Sequence, residues 1–259
     1  MRSSPAEIRP SFSADQRILV TGASSGIGEA IALRLNALGA TVIASGRNAE
    51  RLEANTARAA FPKRFCVEAR DLADDPAALP GWIAELRGRY GKLYGLAHAA
   101  GVTLTASLRE YDLAAARALF DLLFHAPMLL AKGFADRRNN AGPGSAMLFV
   151  AAAAAVLPSP ALLIYSSAKG ALITAARCMS KELAPAGLRV NCVSPGLIKT
   201  PLCDEFAALI GPEAFSRLAD AYPLGIGEPE DVSAAAAYLL SPQARRITGQ
   251  NLLLAGGLG

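Results

Sequence analysis

A chain of 259 residues, 52% hydrophobic and 19% charged, can bury a sizeable core, and its composition excludes global disorder. The formal charge of +4 comes from scattered basic residues with no Lys/Arg cluster of the nucleic-acid-arm kind; such a field suits an anionic small molecule or plain solubility. The four cysteines (Cys66, Cys178, Cys192, Cys203) have no CxxC spacing and no adjacent histidine, which argues against a metal site or disulfide framework and for buried thiols in a reducing compartment.

The opening "MRSSPAEIRPSFSADQ" is polar and lacks an apolar signal core, so residues 1 to about 15 read as a frayed tail and the protein as cytoplasmic. From there short apolar runs alternate with helical patterns. "RILVTG" predicts a strand, residues 26–39 a helix closed by glycine, "ATVIASG" a second strand and "NAERLEANTARAA" a charged helix. "RFCVEARD" and "LYGLAHAAG" are the third and fourth strands, followed by a long helix over 112–137 bent near Pro127. "SAMLFVAA" is the fifth strand, with a helix from about 164 to 184; "LRVNCVSPG" is the sixth and "QNLLLAGG" the last.

The strands are nearly all apolar, as expected when helices cover both faces of a parallel sheet. Repeated strand–helix–strand units predict α/β architecture: a single doubly wound Rossmann-like domain over 16–259 with a parallel sheet of about seven strands. The longest apolar run, from Ala146 to Pro158, is too short to span a bilayer. "CDEFAALIGPEAFSRLADAYP" predicts a substrate lid at about 200–223. Its Phe206, Leu209, Ile210, Phe215 and Leu218 fit either a hydrophobic substrate or packing on the core.

"ILVTGASSGIGEAIALRL" places Gly22, Gly26 and Gly28 at the turn from the first strand into the first helix. Glycine there permits a tight turn and lets the backbone approach a pyrophosphate, which meets free N–H groups and the positive end of the helix dipole. At the end of the second strand an acidic residue would bond both ribose hydroxyls and repel a 2′-phosphate. Here the chain reads "ASGRN", with Gly46 at that position; Ser45 and Arg47 are placed to hold the phosphate, which favours NADP(H) over NAD(H).

With TGASSGIG, a YxxxK pair at Tyr165 and Lys169, and "VNCVSPGLIKTPL" in one order, the chain resembles the short-chain dehydrogenase/reductase family over residues 15–259. "PLGIGEPEDVSAAAAYLLSPQARRITGQNLLLAGG" resembles the C-terminal segment of acyl-carrier reductases and related alcohol dehydrogenases. The resemblance implies a nicotinamide cofactor and a homotetramer or homodimer; the expected partner is a small carbonyl or alcohol substrate (hydrophobic or carrier-bound), and the charge pattern, apolar run length and cysteine spacing argue against nucleic acid, membrane or metal. By the same resemblance Gly22, Ser24, Ser25, Gly26, Ile27 and Gly28 would line the pyrophosphate, and Asp71 and Leu72 would receive the adenine. Ala99 and Gly101 would touch a ribose through backbone, and Pro195, Gly196, Ile198 and Thr200 would cradle the nicotinamide and phosphate. His98 stands where the family has its first Asn of NNAG and reads as a structural hydrogen-bonding residue.

Tyr165 and Lys169 match the catalytic pair; one turn apart, they share a helix face, and the ammonium is expected to lower the phenol from its usual value of about 10. Lys169 would also bond the nicotinamide ribose. Two family partners are absent. The serine thirteen residues before the tyrosine is Ala152, next to Ala151, and the asparagine of the long helix is Leu123. The expected function is therefore an NADP(H)-dependent ketoreductase or alcohol dehydrogenase with an atypical site. The alternatives are an NADP-binding non-redox or partner-dependent homologue, or an isomerase or eliminase using Tyr165.

Overall fold

Seven short runs dominated by apolar side chains form the strands, in a computed structural model that describes residues 10–258. They are β1 (Arg17–Thr21), β2 (Thr41–Gly46), β3 (Phe65–Ala69), β4 (Leu93–His98), β5 (Ala146–Val150), β6 (Arg189–Pro195) and β7 (Asn251–Leu254). All pair in parallel in the order β3-β2-β1-β4-β5-β6-β7, the doubly wound Rossmann-like topology expected. Among the described residues the helices are α1 (Gly26–Ala37), α2 (Ala49–Arg58), α3 (Leu79–Tyr90), α4 (Leu113–Phe120), α5 (Ala126–Ala135), α6 (Leu163–Leu183), α7 (Pro201–Ile210), α8 (Pro212–Ala219) and α9 (Pro229–Leu240).

Two cores result, one on each face of the sheet. Ile31 and Leu35 of α1, Leu52 of α2 and Val232 and Ala236 of α9 pack on Ile18, Val20 and Val42. On the other face Trp82, Ile83 and Leu86 of α3, Leu130 and Phe134 of α5 and Leu172 of α6 pack on Leu19, Leu96 and Phe149. A fully buried side chain such as Phe134 contributes roughly 1.5–3 kcal/mol of hydrophobic stabilisation. At the start of β6 the buried Arg189 donates to the carbonyl oxygens of Leu239, Leu240 and Ser241 at 2.6, 3.2 and 3.1 Å. It thereby satisfies the open C-terminal end of α9 and fastens that helix over the sheet.

Three features depart from the sequence reading. The helix α3 was not foreseen, because Pro80, Gly81 and Gly88 break its pattern; burial of Trp82, Ile83 and Leu86 outweighs their poor propensity. The segment expected as a lid forms two helices, α7 and α8, each opened by a proline in its first turn and separated by Gly211 at φ 83°. Residues 1–9 of the predicted tail lie outside the described residues. Within the remainder Phe12 is already packed: its N–H donates to Leu38 at 2.9 Å and its ring meets Tyr94 edge-on at 6.4 Å.

The predicted long helix runs from Leu113 to Ala135, with a π turn at Asp121–His125 between α4 and α5. Pro127 has no N–H to offer the carbonyl of Leu123 four residues back, and the wider turn falls at that gap. By length and composition this helix is apolar enough to cross a bilayer, although Arg117 and Asp121 interrupt its apolar run. In the fold it lies against α3 and α6.

Candidate active site

The chain leaves β1 to one side and β4 to the other, and a groove of about 230 Å³ opens at their C-terminal ends. Its floor is the glycine turn. Gly22 (φ 71°) and Gly26 (φ 56°) adopt left-handed backbone, and a Cβ at Gly22 would stand 2.6 Å from the Ala100 nitrogen. At Gly28 a Cβ would stand 2.2 Å from the Gly22 carbonyl oxygen, so the helix can approach the turn only without a side chain. The extended Ser25 that starts α1 makes no side-chain cap, leaving the first-turn N–H groups without a side-chain partner at the groove.

Along the β2 side, Ser45 is buried and its hydroxyl has no hydrogen-bond partner, while Arg47 is exposed at the rim. A Cβ at Gly46 would meet the Ser24 hydroxyl oxygen at 3.0 Å, so a larger residue there must displace Ser24. Asp71 and Leu72 form the wall beyond. The Asp71 carboxylate accepts from the Ala73 N–H at 2.9 Å, and the Leu72 side chain is buried in the core. Ala99, Gly101 and Thr200 close the far side; Thr200 also caps α7, accepting from the Cys203 N–H at 3.3 Å.

Thus Gly22, Ser24, Ser25, Gly26, Ile27, Gly28, Ser45, Arg47, Asp71, Leu72, Ala99, Gly101 and Thr200 come together on one groove. Pro195, Gly196 and Ile198 do not line it. Tyr222 packs so closely that a Cβ at Gly196 would meet its ring at 2.5 Å, its hydroxyl accepts from the Leu197 N–H at 3.2 Å, and Ile198 is buried in the core. Sequence reasoning did not name Arg70, Ala73, Val102, Leu122 and Leu202, which also line the groove. Each directly flanks, or lies two residues or fewer from, a position that was named, which is the signal that would have found them.

Tyr165 and Lys169 project from the first turns of α6 beside Gly101. Lys169 is buried; its Nζ donates to the Val150 carbonyl oxygen at 2.7 Å and lies 5.9 Å from the centre of the Tyr165 ring. Burial pushes the ammonium down to about 8. The phenol does not follow the expected downward shift. Burial pushes Tyr165 up to about 12, and the Lys169 ammonium donates to the Val150 carbonyl oxygen.

After β5 the chain runs on through Ala151, Ala152 and Ala153, all buried, and the turn that begins at Ala153 packs on α6. Leu123 is fully buried; a Cβ at Gly101 would stand 3.2 Å from its Cδ2 and 3.6 Å from the Lys169 Nζ. Of the serines considered as substitutes, Ser159 and Ser167 are exposed, and the buried Ser166 hydroxyl has no hydrogen-bond partner among the described residues. At the end of β4 the buried His98 Nδ1 lies 2.9 Å from the Thr21 Oγ1, the structural link expected of it.

A glycine cradle, an open helix N-terminus and a tyrosine–lysine helix at the mouth of a doubly wound sheet define a dinucleotide-dependent enzyme site. Comparison with known proteins agrees. Residues 22–259 match the family described as enoyl-(acyl carrier protein) reductase. The chain is 31% identical over 244 residues to the 3-oxoacyl-acyl-carrier-protein reductase of Rickettsia prowazekii, covering 93% of this chain and 95% of that protein. Among solved structures it is similar to a short-chain dehydrogenase from Burkholderia cenocepacia in complex with NADP (TM-score 0.85, 29% identity, 95% and 98% of the two chains). It is also similar to a 3-ketoacyl-acyl-carrier-protein reductase from Brucella melitensis complexed with NADH (TM-score 0.80, 26% identity, 94% and 98%). The chain belongs to the short-chain dehydrogenase/reductase family, as an oxidoreductase similar to ketoacyl reductases.

Proposed function

We propose that the protein is an NADP(H)-dependent ketoreductase or alcohol dehydrogenase in which Tyr165 exchanges a proton with the substrate oxygen and Lys169 holds the charge behind it. The observation that carries this reading is the buried Lys169, one turn from Tyr165 at the edge of the glycine cradle. The cradle fits a dinucleotide: it is closed to side chains at Gly22 and Gly28 and lined by an orphaned hydroxyl at Ser45. When bound, the nicotinamide supplies or accepts the hydride.

Gly22, Ser24, Ser25, Gly26, Ile27 and Gly28 hold the pyrophosphate, Ser45 and Arg47 the 2′-phosphate, and Asp71 and Leu72 the adenine. Ala99, Gly101 and Thr200 take the ribose and nicotinamide end. Relatives have been solved with NADP and with NADH; Gly46 beside Arg47 selects the phosphorylated form here. A phenol pushed up to about 12 is protonated at neutral pH, which suits Tyr165 to donate to a carbonyl and favours reduction.

Exposed apolar side chains gather on the segments after β4, β5 and β6, including Leu108, Tyr111, Leu163, Leu209 and Leu224, and they support a hydrophobic or carrier-bound substrate. Half-exposed Leu252 and Leu253 on the edge strand β7, and the apolar face of the Leu113–Ala135 helix, support a homodimer or homotetramer. A cytoplasmic location is part of the same reading.

The alanines at 151–152 and Leu123 favour a second reading, an NADP-binding subunit that turns over only with a partner chain. Incubation of the purified protein with NADPH and a carbonyl panel decides between them. Oxidation of NADPH that falls by about 10²–10⁴ in Tyr165→Phe, with calorimetric NADPH affinity unchanged, is the expected result. Tight NADPH binding without turnover supports the partner-dependent reading, and absence of affinity for any nicotinamide nucleotide overturns both.

A further inference from the structure

His98 carries a polar atom that its link to Thr21 leaves unused. The side chain is fully buried, and its Nε2 has no hydrogen-bond partner. A bare ring nitrogen in a dry core is costly, of the order of 1–3 kcal/mol, which is why such groups are nearly always paired directly or through a buried water. The parallel register sets Thr21, His98 and Phe149 side by side, so all three project from the same face of the sheet, and the His98 and Phe149 rings lie 6.4 Å apart. That is the face covered by α6, from which Lys169 reaches the carbonyl of Val150, one residue beyond Phe149. Only one of the ammonium's three donors is used there, and its charge is near enough to act on the imidazole.

We infer that His98 is a positioning residue for Lys169: with Nδ1–H donated to the Thr21 hydroxyl, its Nε2 lone pair accepts, through one buried water, a hydrogen bond from the Lys169 ammonium. The inference rests on the reading of Lys169 as the partner of Tyr165. It gives the site back, from the sheet, a polar contact of the kind that Leu123 cannot supply from the helix.

The ionisable groups around this contact are few. Tyr165 on α6 and Cys192 on β6 are each pushed up to about 12 by burial, and His98 is held down to about 3 by burial and by the charge on Lys169. Asp121 and His125 of the π turn are exposed, and that turn presents Leu123 to the buried site. Of these four buried groups, Lys169 is the one whose charge changes between those limits. An acceptor for its ammonium favours the charged form, so removing the acceptor moves its deprotonation to lower pH.

The chain has only two histidines, and the other, His125, is exposed and serves as a reference, so nitrogen NMR on histidine-labelled wild-type protein reads the contact without any turnover. The expected spectrum shows a bare Nε2 on His98 whose resonance moves in one step near pH 8, as Lys169 loses its proton, and does not move in Lys169→Met. A protonated Nε2, or a bare one indifferent to Lys169→Met, overturns the inference even if the enzyme is fully active. Where reduction is measurable, His98→Asn keeps an acceptor and the wild-type alkaline limb of kcat/KM. His98→Leu moves that limb down by about one pH unit, and a folded His98→Leu protein with an unmoved limb counts against the proposal.

Discussion

At the β1–β2 end of the cleft the wall is polar and pre-formed: open N–H groups of α1, an orphaned hydroxyl on Ser45 and a guanidinium on Arg47. At the β5–α6 end it is Ala151, Ala152 and Ala153, with Leu123 filling the space opposite Gly101. The difference teaches that the requirements of cofactor binding and of proton transfer can separate within one site. On the proposed reading the first end holds a charged dinucleotide, while the second sets Tyr165 and Lys169 among the apolar Ala151, Ala152 and Leu123.

The contrast is sharpened most by restoring the donor. In Ala152→Ser a hydroxyl enters the wall next to Tyr165, and since one pre-organised oxyanion donor is worth about 10²–10³ in rate, kcat is expected to rise on the order of tenfold or more. NADPH affinity should be unchanged, because the substitution lies away from the groove. Steady-state kinetics with the best carbonyl substrate checks this. A serine that leaves kcat unchanged would show that the substrate oxygen does not sit against Ala152, and the comparison between the two ends would lose its chemical meaning.

At the other end Arg47→Ala removes the exposed guanidinium. Hydrogen bonds to charged groups contribute about 1.5–3 kcal/mol, and solvent at the rim holds this one to the lower figure, so NADPH should bind about tenfold more weakly. NADH affinity should stay the same. Calorimetry with both nucleotides is the measurement, and equal losses for the two would mean that Arg47 does not contact a 2′-phosphate.

How far the sequence revealed this division depends on what carries each signal. The strands were legible because a sheet covered on both faces needs uninterrupted apolar runs, and the glycines because Gly22 and Gly28 have no room for a Cβ. Tyr165 and Lys169 were legible from a spacing of one helical turn. The upward shift of Tyr165 was not, since it follows from burial of the phenol in the folded chain, which no local pattern encodes. Helix α3 was hidden for a related reason: its glycines and proline speak against a helix locally, and only the buried Trp82, Ile83 and Leu86 speak for it. The vacant Nε2 of His98 and the unpaired hydroxyl of Ser45 are likewise products of packing, visible only once the neighbours are in place.

The smallest effect expected tests whether the substrate end also carries backbone strain that the cofactor end avoids. At the glycine turn the left-handed positions are occupied by Gly22 and Gly26, whereas in the segment after β5 Ala161 holds φ 64°, alone among the described non-glycine residues. Its carbonyl accepts from the Ala106 N–H at 2.8 Å, and Ala106 pairs with Leu162, so this residue ties the segment after β4 to the start of α6 just ahead of Tyr165. A left-handed alanine costs about 1–2 kcal/mol, whereas glycine in the same place loses about 0.4–1 kcal/mol more chain entropy on folding. Ala161→Gly should therefore stabilise the fold by up to about 1.6 kcal/mol, seen as a rise in Tm of up to about 6 °C for a domain of this size. The β-branched Ala161→Val should lower Tm, since its side chain is strained in that conformation. A fall in Tm for both would show that the tie between Ala106 and Ala161 does not hold the backbone left-handed in solution, and the substrate end would then differ from the cofactor end in its side chains alone.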